Sequence, residues 1–148
     1  MAIPNYLPLF GNRVGISTTS PTRLVLDGVA QPSLDLLAGW AVDARTGVSG
    51  AVALNLDLAR AFSLLLTGDV VLSLTSTTAG DPELISALVR IEQGTGGSHE
   101  VTWPGSVAWS GGYAPSLLTA VGGVDILQLL SFDGGQSWSA GRIMQTEA

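Results

Sequence analysis

The sequence predicts an all-β protein, an antiparallel β-sandwich of jelly-roll-like character with about eight or nine strands, preceded by an extended N-terminal arm. Three observations carry this. Apolar and polar residues alternate with period two through much of the chain. Turn-forming pairs such as Gly-Asp, Gly-Gly and Asp-Gly recur at intervals of about 10 residues, the spacing of short strands in a sandwich or barrel. The one helical signal is too short to organise a domain.

Residues 1–10, MAIPNYLPLF, contain two prolines and scattered apolar side chains. Proline fixes φ and removes a donor, so an extended arm is expected, set at residues 1–20 ahead of a sandwich domain at 21–148. An apolar arm needs cover. Ile3, Tyr6, Leu7, Leu9 and Phe10 are therefore candidates to dock on a neighbouring subunit, the alternative being that they pack on their own domain. Residues 22–26 read as a strand and Asp27-Gly28 as a turn. Residues 31–40, QPSLDLLAGW, carry the short helical signal, with Ser33 as a cap. VDARTGVSG then reads as a loop.

Residues 51–58 place Val52, Leu54, Leu56 and Leu58 on one face, as a half-buried strand requires. Residues 62–66 and 70–74 flank Thr67-Gly68-Asp69 and read as a hairpin. Residues 84–92 suit helix or strand by periodicity, and Ile, Val and Ile between two hairpins favour strand. Gly96-Gly97 reads as a turn feeding a strand through His99, Val101 and Trp103, ended by Pro104. Residues 124–132 and 137–144 flank Asp133-Gly134-Gly135, the strongest hairpin signal in the chain. Trp103, Trp109 and Trp138 read as packing residues.

Composition narrows the function. Charged residues make up 12% and hydrophobic residues 46% of the 148, about half the charge expected of a soluble domain. Such a surface suits an assembled subunit. All six basic residues are Arg, and Arg is retained at interfaces where Lys is depleted. The net charge of −6 opposes nucleic-acid binding, which needs clustered cations. Cysteine is absent, and no window reaches 18 uninterrupted apolar residues, so no membrane span or signal peptide is expected.

Catalytic parts are few. His99 is the only histidine, beside a turn where a surface side chain is expected. Asp125 and Asp133 could hold a cation in principle, but Asp133 more naturally caps its own turn. Glu92 and Glu100 flank a Gly-rich turn without any sign of an enclosing cleft. GTGG lacks the sequence context of a phosphate loop. No catalytic residue, metal or cofactor is expected.

The stretch from Glu92 onward, EQGTGGSHEVTWPGSVAWSGGYAPSLLTAVGGVDILQLLSFDGGQSWSAGR, resembles C-terminal β-sandwich modules of bacteriophage tail fibres, head fibres and capsid-surface proteins. The matching positions are Gln93 to Gly97, Val101 to Pro104, Val107, Trp109, Gly111, Gly112, Ala114, Pro115, Val124, Asp125, Asp133 to Gly135 and Trp138. With the upstream strand pattern, the resemblance covers roughly residues 52–142. It implies a non-enzymatic virion protein on the outer particle surface, made in the host cytoplasm and commonly trimeric. No stalk pattern accompanies the fold, which favours a capsid decoration or cement protein over a tail-fibre tip. The implied partners are its own copies in a homotrimer and the major capsid protein or other virion proteins. A host-surface glycan is the partner under the alternative reading. Trp40 and Tyr113 join the arm as candidate contact residues.

Overall fold

The computed structural model describes the strands Val14–Ser17, Arg23–Leu26 and Val29–Ala30 and residues 41–148. The chain divides into two compact units, Met1–Gly39 and Trp40–Ala148. In the first, β1 (Val14–Ser17) pairs antiparallel with β2 (Arg23–Leu26), and β2 pairs antiparallel with β3 (Val29–Ala30). The strand expected at 22–26 is thus present as β2. The arm residues 1–10 and the helical signal at 31–40 lie outside the described residues.

The second unit is a mixed seven-stranded sheet, and no helix occurs among the described residues. Its strands are β4 (Val42–Asn55), β5 (Ala61–Thr75), β6 (Ile85–Gln93), β7 (Val101–Thr102), β8 (Val107–Trp109), β9 (Val124–Ser131) and β10 (Trp138–Thr146). The path runs β4-β5-β6-β9-β10-β8, with β7 on β5. The antiparallel expectation holds for β6-β9 and β9-β10, whereas β4-β5, β5-β6, β5-β7 and β10-β8 are parallel.

The parallel block corrects the hairpin expected at Thr67-Gly68-Asp69. β5 runs through that triplet as one strand of 15 residues. Both halves find neighbours elsewhere: residues 61–66 pair with β6 and residues 70–71 with β7. Asp69 accepts the Glu100 amide at 2.9 Å, so the turn-like residues serve a bend and a cross-link, not a reversal. VDARTGVSG, expected as a loop, is the first part of β4, and the strand expected from His99 to Trp103 shortens to β7.

Chain reach shows how sharp the bend is. Val42 lies beside Ala61 and Asn55 beside Thr75. A straight strand of β4's length would measure about 43 Å, yet residues 56–60 bridge at most about 22 Å on the way back. β4 therefore doubles back on itself, and β5 follows it in register. Ladder shifts between Arg45 and Gly50 mark the fold line. The Arg45 guanidinium confirms it by donating to the Ala53 carbonyl at 3.0 Å, a residue that a straight strand would carry out of reach.

The alternation read from the sequence faces the core as expected except at Leu58: β4 ends at Asn55, whose carbonyl and side chain draw the next residues into a turn, and Leu58 is turned out to solvent. Leu54, Leu56, Leu64, Leu66, Ile85, Ile91, Leu127 and Leu129 are all nearly inaccessible to solvent. Full burial of such a side chain contributes about 1.5–3 kcal/mol. Expected strand 84–92 is β6, and the DGG hairpin is β9-β10, with an irregularity between Arg142 and Met144.

Candidate functional site

Of the contact residues singled out in the sequence, Ile3, Tyr6, Leu7, Leu9, Phe10 and Trp40 lie outside the described residues. Tyr113 sits between β8 and β9 and is 85% exposed.

The resemblance-bearing residues build a frame. Gln93 ends β6 on its buried face, and its amide closes the Gly-rich loop in two directions: Nε2 donates to the His99 carbonyl and Oε1 accepts the His99 amide, both at 2.9 Å. Gly94 donates to the Leu66 carbonyl at 2.8 Å, and a Cβ on Gly94 would overlap that carbonyl. Sequence reading placed Gln93 in the motif without a role. A polar residue in phase with Ala87, Val89 and Ile91 was the available signal, since a buried amide must find partners.

The three tryptophans pack, as expected. Trp138 is buried and its Nε1 donates to the Gly135 carbonyl at 3.0 Å. Trp103 and Trp109 are partly buried against the core and meet edge to face, with centroids 5.0 Å apart.

The acidic side chains are committed to turns and pairs. Asp133 caps its own turn: Oδ1 accepts from Ser131 Oγ at 2.7 Å and from the Ser137 amide at 2.9 Å, and Oδ2 accepts from Ser137 Oγ. These bonds, those from Ser137 foremost, hold its pKa down at about 2. Asp125 is buried, accepting the Leu118 amide at 2.8 Å with Arg142 at 3.5 Å. It and Asp133 stand at opposite ends of β9, so they form no joint cation site. Glu92 pairs with Arg90 at 2.7 Å. His99 is partly buried, its Nε2 at 3.0 Å from the Thr95 carbonyl oxygen. No group of three His, Cys, Asp or Glu side chains suited to a metal ion occurs among the described residues.

No family model, curated protein or solved structure matches the chain.

Two surfaces remain after the structural roles are assigned. The first is a rim. Three connections, residues 56–60, 76–84 and 132–137, are laced together: Asp57 accepts the Thr77 amide, Thr78 Oγ1 donates to the Gly134 carbonyl, and the Gly80 amide donates to the Asp133 carbonyl. This rim carries Leu58, Leu84 and Phe132, which are 80%, 60% and 71% exposed. The pairing of Ile85 with Ser131 sets Leu84 and Phe132 side by side at the sheet's end.

The second is a groove of about 350 Å³ between the segment 98–103 and the segment 114–119. Val101, Trp103 and Leu117, which pack on the core, give it an apolar floor, and Glu100, Ser116 and Thr119 give it a polar border. Its walls are fixed. The Ser98 amide donates to the Thr119 carbonyl at 2.8 Å, and Arg142 donates to the Ser116 carbonyl at 2.7 Å.

Proposed function

We propose that the protein is a non-enzymatic structural subunit of a bacteriophage particle, a capsid decoration or cement protein that assembles as a trimer and stiffens the shell. The observation that carries this reading is the rim: three large apolar side chains are held out to solvent on rigid connections, in a chain with few charges. Leu84 and Phe132 side by side, with Leu58 on a connection bonded to theirs, make an apolar grouping of the kind a partner covers. The sheet supports a two-layer β-sandwich, because β4 and β5 double back and turn the alternating apolar residues of both halves inward.

In this role area replaces chemistry. At about 25 cal/mol per Å², a modest apolar contact per copy gains weight when symmetric copies engage together. The N-terminal residues Ile3, Tyr6, Leu7, Leu9 and Phe10 would extend that contact to the shell. Tyr113 favours the second reading, a fibre or receptor-binding tip, since an exposed aromatic on a loop suits ligand contact.

Counting copies on purified particles by labelled antibody and imaging separates these. Hundreds of copies over the head are expected. A handful at the tail would transfer the assignment to the fibre tip, and absence from every particle would end the virion reading.

A further inference from the structure

From the groove beside the Gly-rich loop we infer that the protein has a saccharide-binding subsite for a neutral pyranose, formed by Trp103, Leu117, Glu100, Ser116 and Thr119. The inference rests on the groove and holds for a head or a tail location. Its volume of about 350 Å³ falls within the range of small-ligand sites. Its chemistry is divided as a sugar's is. A pyranose has a patch of C–H groups, matched by the indole of Trp103 and the Leu117 side chain on the floor. It also has equatorial hydroxyls, matched by the carboxylate of Glu100 and the hydroxyls of Ser116 and Thr119 at the border.

Charge decides the class of sugar. Among the described residues no Arg lines the groove, and the neighbouring Arg142 is occupied by Asp125 and the Ser116 carbonyl. Among the described residues the lining holds the Glu100 carboxylate and, as its one other titratable side chain, the His99 imidazole. An acidic sugar or a phosphate would therefore meet a carboxylate with no described guanidinium to offset it, whereas the hydroxyls of a neutral sugar donate to it.

The groove is also ready for occupation. The Gln93 amide fixes His99, the Ser98 amide holds Thr119, and Asp125 holds Leu118, so both walls are set by bonds inside the protein. Little ordering is left to be done by a ligand.

Saturation-transfer NMR on the full chain tests this with glucose, galactose, mannose and N-acetylglucosamine as probes and sialic acid as the anionic control. Transfer to at least one neutral sugar at millimolar concentration is expected, with none to sialic acid. Glu100→Gln should weaken binding about tenfold, the value of roughly one charge-assisted bond. Thr119→Trp should abolish it by filling the groove. Both side chains are exposed, and circular dichroism confirms that the variants fold. Absence of transfer to any of the neutral sugars, transfer unchanged in both folded variants, or equal binding of sialic acid would overturn the inference. Because the isolated chain is measured, failure here leaves the particle reading standing, and failure of the particle count leaves this one standing.

Discussion

Asp133 shows how one side chain converts a turn signal into a pH dependence. Its carboxylate accepts from Ser131, from the Ser137 amide and from the Ser137 hydroxyl, and its pKa falls to about 2. The unfolded chain would bind the proton near the ordinary value of about 3.9. A depressed folded pKa means stability that is fully present above the unfolded value and lost as the pH falls towards 2. Asp43 acts in the same direction, its pKa lowered chiefly by the hydrogen bond from Arg45. Thermal melts followed by circular dichroism should therefore drop between about pH 4 and pH 2. Asp133→Asn should melt lower than the parent at pH 7 and converge with it near pH 2. Parallel melting curves across that range would remove Asp133 from the account. The sequence signal behind this residue was strong, because Asp before Gly-Gly is a local arrangement that bonds to its own backbone.

Signals of that local kind decided which elements could be read in advance. The β9-β10 hairpin is encoded within a few residues by Asp133-Gly134-Gly135, and both strands lie close to where alternation put them. Thr67-Gly68-Asp69 has equally turn-like composition, yet it lies inside β5 because β6 and β7 supply partners for the two halves. Whether a Gly-Asp pair reverses a strand or bends it is set by those distant partners. Parallel pairing was hidden for the same reason: alternation reports a buried face, not the direction of the neighbour. The groove was hidden as well, since its walls come from segments that the Gln93 clamp and the Ser98–Thr119 bond bring together. Edge protection is a further property of the element. β4 ends the path of the sheet, and its register sets Asp43 beside Phe62 and Arg45 beside Leu64, on the core-facing side. Inward charges on an edge discourage another strand from adding there. Arg45 also occupies the Ala53 carbonyl. The double variant D43V/R45V is expected to form species larger than the parent's in sedimentation velocity, and an unchanged profile would refute the guarding role.

At the scale of the whole molecule, one end of the sheet exposes three large apolar side chains and the β4 edge is guarded, so the rim is the surface to test for the proposed association. Leu58, Leu84 and Phe132 lie on connections that the Asp57, Thr78 and Gly80 bonds immobilise. Their side chains point to solvent and carry none of the core's packing, so they are open to substitution without loss of fold. L58S/F132S should keep the melting temperature within the range of ordinary surface changes, about 0.5 kcal/mol in stability. Removing two apolar side chains from a contact costs about 1.5–3 kcal/mol each if both are fully buried there. Around the proposed trimer that loss would be incurred at every copy. The variant is therefore expected to sediment as a monomer, or to detach from particles, at concentrations where the parent stays assembled. Deleting residues 1–10 gives the complementary test of the arm. If L58S/F132S assembles like the parent and the deletion does not, the arm alone carries the contact. If neither change affects assembly or particle binding, the rim and the arm are both excluded as the cement surface.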